Sequence, residues 1–159
     1  MRGSTYVFSL LKKGMTAFST AISIRWADID ANFHMRHSAY YDFGAQHRVE
    51  ILAQYGLTLA AMRELHIGPV LFREECLFKK EIHLTDKITI STSIAKMRAD
   101  GSRFTIQHLF TNEQGQRCAL ITVDGAWMDT KLRKLVHPVP AIITEVMNSF
   151  PRGEGFEEV

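Results

Sequence analysis

From Arg25 to Tyr41 the chain reads Arg-Trp-Ala-Asp-Ile-Asp-Ala-Asn-Phe-His-Met-Arg-His-Ser-Ala-Tyr-Tyr, which brings Asp28, Asp30, Asn32, His34 and His37 into ten residues. A carboxylate can attack a carbonyl carbon or draw a proton from water, and neighbouring imidazole and amide groups can orient the water or the leaving group. The stretch also runs straight into a helical pattern. Free amides at a helix start polarise a carbonyl or hold an anion. Attack on an acyl carbonyl is therefore the chemistry that these residue types and this spacing suit. Two other uses of the same residues stay open at this level. Asp30 can serve the turn alone, its oxygen accepting from the backbone two residues on. His34 and His37, with Asp28 or Asp30, have the atoms of a zinc or iron site, but no third histidine follows within the stretch, so no metal is expected.

The elements that must position this loop are readable on both sides of it. Thr16 to Trp26 is rich in Thr, Ser, Ile and Phe, with Ile22 and Ile24 alternating against Ser23 and Arg25, as in a half-buried strand. On the other side Ser38 is placed to cap a helix, Asp42 suits its first turn, and Tyr41, Ala45, Arg48 or Val49, and Leu52 follow at helical spacing as far as Gly56. A shorter helix is expected over Leu59 to Leu65, ending near Gly68-Pro69. Then come four extended segments, Val70 to Leu84, Ile88 to Met97, Arg103 to Asn112 and Arg117 to Asp129, separated by turns short enough for antiparallel hairpins. Ala141 to Phe150 reads as a small closing helix, and 152–159 as a loose polar tail. The order is α+β: one strand, one long helix, then an antiparallel meander.

The loop resembles the signature of the 4-hydroxybenzoyl-CoA thioesterase-like hot-dog superfamily: an Asp-x-Asp pair (Asp28, Asp30), a His (His34), and a Tyr ten residues after the second Asp (Tyr40). The resemblance implies a hot-dog fold, an antiparallel sheet of five or six strands wrapped around one long central helix, with the second aspartate as the catalytic carboxylate. It assigns that role to Asp30, with Asn32, His34 and His37 as its partners; Asp30, Asn32 and His34 are also similar to the Asp-x-Asn-x-His of plant-type acyl-carrier-protein thioesterases. Phe33, Met35, Arg36 and Tyr40 become the candidate substrate contacts. Phe33 stands where glycine is common, so it either changes the turn or is held in a strained backbone conformation. The implied activity is hydrolysis of an acyl-CoA, or of an acyl-carrier-protein thioester, without a cofactor and in a homodimer or homotetramer. A non-catalytic acyl-thioester binder is the alternative, and a hot-dog hydratase a third reading.

Composition narrows the rest. The 159 residues, 46% hydrophobic, suit one domain, expected over 15–150, with 1–14 beginning Met-Arg-Gly-Ser like a vector-derived extension rather than a signal peptide. A net charge of +2 with no basic stripe argues against nucleic acid. Lys79, Lys80, Lys96, Arg98 and Arg103 are scattered over predicted strands and turns, where solvated edges are the expected role and contact with coenzyme A phosphates the alternative. No apolar run is long enough to span a membrane, and two cysteines fit a reducing, cytoplasmic setting.

Overall fold

A computed structural model describes residues 17–159, so the expected extension at 1–14 lies outside the described residues. Five strands follow the path β1-β3-β4-β5-β2, every neighbouring pair antiparallel: β1 (Phe18–Ile22), β2 (Ile67–Phe78), β3 (Ile88–Met97), β4 (Arg103–Asn112) and β5 (Arg117–Asp129). The hairpins β3-β4 and β4-β5 fall where the turn residues predict them. Along β3 and β4 buried and half-buried residues alternate, because successive side chains of a strand point to opposite faces. Ile88, Ile90, Thr92 and Ile94 face the core on β3, and Phe104, Ile106, His108 and Phe110 face it on β4.

Against that face lies α1 (His37–Gln54), which buries Ala39, Tyr40, Gly44, His47, Ile51 and Leu52 along one side. Gly44 lets it come close: a Cβ there would meet His108 Cδ2 at 3.2 Å and Ile121 Cδ1 at 3.3 Å. The helix spans two apolar clusters, one around Met35, Tyr40, Ile82, Ile90 and Phe110, the other around Ile51, Leu57, Phe104, Trp127, Ile143 and Phe150. α2 (Leu59–Leu65) starts at Thr58, whose hydroxyl accepts from the Ala61 amide, and ends at His66 in the left-handed region. α3 (Ala141–Ser149) closes the second cluster with Ile143, Val146 and Met147.

The structure departs from the sequence reading at three places. Ser38 is not the cap of α1: the helix begins at His37 with Arg36 ahead of it, and the Ser38 hydroxyl instead meets the Arg36 guanidinium. β2 starts earlier than expected and stops at Phe78, so 79–82 turns aside and does not extend the strand. The tail is not loose. Arg152–Glu158 form β7, parallel to the second half of β3, and Lys134–Leu135 form a short β6 on β5.

A polar chain crosses the core beneath α1. The Arg48 guanidinium has only donors, so His108 Nε2, 3.0 Å away, accepts. His108 Nδ1–H then donates to Thr92 Oγ1 at 2.5 Å, and the Thr92 hydroxyl donates to His47 Nδ1 at 2.7 Å. Arg48 also pairs with Glu74 of β2 at 3.4 Å. One permanent charge thus orders every proton in the chain, and both imidazoles are held neutral.

Candidate active site

The loop between β1 and α1 is built by its own polar groups. A 3-10 turn over Trp26–Asp28 buries Asp28 completely, and its carboxylate accepts from the Arg25 amide at 2.9 Å, Nε at 3.0 Å and Nη2 at 2.8 Å. Hydrogen bonding to the Arg25 side chain, aided by the same residue's amide and charge and by Arg36, holds this carboxyl below its ordinary range despite the desolvation. Asp28 is thereby committed to the loop, and its carbonyl accepts the Arg36 amide at 2.8 Å, which closes the loop onto the start of α1.

Within that clamp 30–34 forms a tight turn. The Asp30 amide donates to the His34 carbonyl at 2.9 Å and the Phe33 amide to the Asp30 carbonyl at 3.0 Å, while Ile29 bridges Met35. Phe33 holds φ at 64°, the left-handed conformation that a glycine takes without strain, and its ring is exposed. Asp30 Oδ1 accepts from the Asn32 amide at 2.8 Å and the His34 amide at 3.3 Å. Both bonds fall on one oxygen. Oδ2 is left without a hydrogen bond among the described residues.

The turn forms one wall of a cleft of about 400 Å³ lined by Asp30, His34, Met35, His37, Tyr40, Phe78, Lys79, Lys80 and Glu81. Five of the eight residues singled out from the sequence, Asp30, His34, Met35, His37 and Tyr40, meet here. Asn32 contributes its amide to Asp30, and Phe33 and Arg36 stand outside the cleft lining. Arg36 is occupied in fastening the helix, through the Ala27 carbonyl at 3.0 Å and Asp42 at 3.2 Å. His37 opens α1, and no side chain caps that end, so the His37 and Ser38 amides remain available beside the cleft, while the Ala39 amide is taken by the Arg36 carbonyl at 2.9 Å. The first turn of a helix carries partial positive charge. Lys79 and Lys80 add full charges near the carboxylates of Asp30 and Glu81. Burial pushes the Tyr40 phenol up to about 12, so it is a neutral hydroxyl throughout the physiological range.

Of the opposite wall, Phe78 to Glu81, the sequence singles out only Lys79 and Lys80, as alternative phosphate contacts, and does not place them on this cleft. The sequence pattern carries a strand through it, whereas the Lys79 and Lys80 amides both turn back to the Cys118 carbonyl and the Met35 amide donates to the Ile82 carbonyl at 2.7 Å. No local pattern signals such a contact between segments far apart in the chain. The outcome is a carboxylate oxygen, an imidazole pair and an uncapped helix start around one opening, an arrangement able to hold and attack a carbonyl. Among the described residues no group of three or more His, Cys, Asp or Glu could hold a metal ion.

The fold is found in solved structures at low identity. A Staphylococcus aureus protein solved in complex with CoA superposes with a TM-score of 0.79 at 18% identity, covering 89% of this chain and 90% of that one. A 1,4-dihydroxy-2-naphthoyl-CoA thioesterase from Synechocystis gives 0.73 at 16%, covering 83% and 96%. The DHNA-CoA thioesterase of Staphylococcus aureus gives 0.69 at 20%, covering 77% and 80%. No curated protein matches the sequence. The sheet packed on a single long helix is the hot-dog architecture, and the family model of the thioesterase-like superfamily matches residues 24–147, from just beyond β1 through most of α3. With Asp-x-Asp, His34 and Tyr40 standing within that match, the chain belongs to the thioesterase-like superfamily.

Proposed function

We propose that the protein hydrolyses an acyl-CoA to the free acid and coenzyme A. The observation that carries this reading is the position of Asp30 on the same cleft as the uncapped first turn of α1. The thioester carbonyl lies against the amides of that turn, where charge developing on its oxygen is stabilised. Asp30 Oδ2 attacks the carbon or takes a proton from an attacking water. His34 and His37 orient the water and the leaving thiol, and Asn32 fixes the Asp30 rotamer through its amide. Met35 and Tyr40 contact the acyl group inside the cleft, with Phe33 and Arg36 flanking the entrance. Coenzyme A rather than a carrier protein is favoured by Lys79 and Lys80, which suit its phosphates, and by the superposition on a protein that holds CoA.

Replacing Asp30 by Asn keeps the side-chain shape and the Asn32 and His34 contacts while removing the charge. Thiol release from a panel of acyl-CoA esters is expected to fall at least a thousand-fold with the thermal midpoint preserved. Undiminished release would overturn the assignment. One observation favours a second reading, a non-catalytic acyl-thioester binder: Asp30 already supports its own turn through Oδ1. Stabilisation of the unmodified protein by acyl-CoA with no thiol release would select that reading.

The protein is expected to act as a homodimer. β2 ends the strand path with one edge unpaired among the described residues, and Leu71, Phe72, Leu77 and Phe78 are exposed along it. Cys76 and Cys118 are free thiols, which fits a cytoplasmic location, and no helix among the described residues is long and apolar enough to cross a membrane.

A further inference from the structure

Tyr40 carries a hydroxyl that the packing of its ring does not use. The ring is fixed edge-on by Phe78, 5.1 Å away centre to centre, and by Phe110 at 5.4 Å, and a phenylalanine would make both contacts. The residue is 3% exposed, yet its phenol O–H has no hydrogen-bond partner among the described residues. Buried polar groups are nearly always paired, because an unpaired hydroxyl loses its water without replacement. Tyr41 and Tyr55 follow that rule: the Cys76 backbone bonds Tyr41, and the Tyr55 O–H donates to the Ser149 carbonyl at 3.0 Å. Nor is the Tyr40 oxygen sealed in. The enclosed unpaired side-chain atoms among the described residues are Ser102 Oγ and Trp127 Nε1, so the phenol reaches open space, and the open space that Tyr40 lines is the cleft.

The position on the helix says where that proton points. Tyr40 stands one turn after His37, and residues three apart share a face of a helix; helical side chains also lean back toward the N-terminus. The phenol is thereby carried over the first turn of α1, where the His37 and Ser38 amides are open, and His37 and Tyr40 line one cleft with Asp30. Burial foremost, and behind it neighbouring groups that include Asp30 and Glu81, keeps the proton on this oxygen. Such a phenol donates and does not serve as a base. Resting on the acyl-CoA reading above, we infer that the Tyr40 O–H donates to the thioester carbonyl oxygen, as a second donor beside the amides of the first turn. When the carboxylate or its water attacks, the carbon gains an oxygen and the C=O pair moves onto the carbonyl oxygen; the phenol stabilises that charge and keeps its own proton. The pair returns as the C–S bond breaks and the sulfur leaves with its electrons. This hydrogen bond strengthens only while charge stands on the oxygen, so its contribution falls on the rate and not on binding.

Tyr40→Phe keeps the ring against Phe78 and Phe110 and removes only the hydroxyl. With turnover of acyl-CoA esters followed by thiol release, its kcat is expected to fall about a hundred-fold, with KM and the thermal midpoint unchanged. A second variant retains the hydroxyl and moves its titration. A difluorinated tyrosine in place of Tyr40 ionises at lower pH, so the alkaline limb of its kcat profile is expected to begin at lower pH than the parent's, a shift that ring packing alone does not produce. Folded Tyr40→Phe with undiminished kcat, or with its loss confined to KM, overturns the donor and leaves the hydrolase. Should Tyr40→Phe not fold, an alkaline limb unmoved by fluorination overturns it equally. Hydrolysis that survives Asp30→Asn but falls in Tyr40→Phe upholds the donor and overturns the role of Asp30. No thiol release by the parent from any acyl-CoA overturns the thioesterase reading and the donor with it.

Discussion

The two aspartates of the loop, two residues apart, have been given opposite tasks by their surroundings. Asp28 is buried and tied three times to Arg25, whereas Asp30 keeps one oxygen at an open cleft. Because Arg25 holds Asp28 low, the ionised carboxylate contributes stability above the unfolded pKa, and that contribution is lost as pH falls through the lower folded value. Asp28→Asn should therefore lower stability at pH 7 by about 2 kcal/mol and flatten the acid limb of a denaturation series. Phe33 makes the converse case. A left-handed non-glycine residue costs roughly 1–2 kcal/mol, partly offset by the greater unfolded-state freedom of glycine. Phe33→Gly, at a ring that is 72% exposed, should then stabilise the protein by up to about 1 kcal/mol in urea titration. At this scale the sequence was informative about residue types but not about division of labour. Asp28, Asp30, His34 and His37 are all visible as chemistry in the sequence, yet only burial separates the aspartate that builds the loop from the one that lines the cleft.

At the scale of elements, α1 is fixed to the sheet by a close approach and by polar contacts, and each can be tested. Gly44→Ala puts a methyl group against the His108 and Ile121 side chains and should cost about 1–3 kcal/mol by forcing the helix outward. Thr92→Val leaves His47 Nδ1 and His108 Nδ1–H buried without their partner and should cost about 2–4 kcal/mol, with Thr92→Ser recovering most of it. Burial depresses both imidazoles, and Arg48 adds to the effect at His108. Glu50 opposes it at His47, and Glu74 faces Arg48 from β2. A histidine lowered in the folded state binds fewer protons there than in the unfolded chain. Stability is unaffected above the unfolded value of about 6.5, and falls as pH drops below it. Urea midpoints between pH 7.5 and 5 should show that decline in the parent and a shallower one in His47→Gln. Strands β3, β4 and β5 were legible to the residue because alternation and turn chemistry are local. The polar chain was not, since His47, Thr92 and His108 come together only through packing.

For the whole molecule, the two edges of the sheet are finished differently. Among the described residues the β2 edge is unpaired, with Leu71, Phe72, Leu77 and Phe78 exposed on either side of the Arg73–Glu75 ion pair, and a second copy of the chain is its proposed cover. Leu77→Lys, at an exposed position on that edge, is expected to reduce the scattering mass from two chains to one; a parent already at the mass of one chain would refute the dimer. At the other edge β3 is covered twice over. β1 pairs with Ile88 to Thr92 and β7 with Ile94, Lys96 and Met97, so the outer side of β3 is lined by segments from opposite ends of the described chain. Nothing in Arg-Gly-Glu-Gly-Phe-Glu-Glu announces a strand: it lacks alternation, carries two glycines, and is ordered by a vacant stretch of β3 that no local pattern reveals.

That finishing strand works like the selvage of a woven cloth. A version cut after Phe150 would retain every side chain of the cleft but bare the amides and carbonyls along Ile94 to Met97, a frayed border for the next molecule to stitch onto. Its loss would first be felt as clumping in concentrated solution, well before any change in turnover.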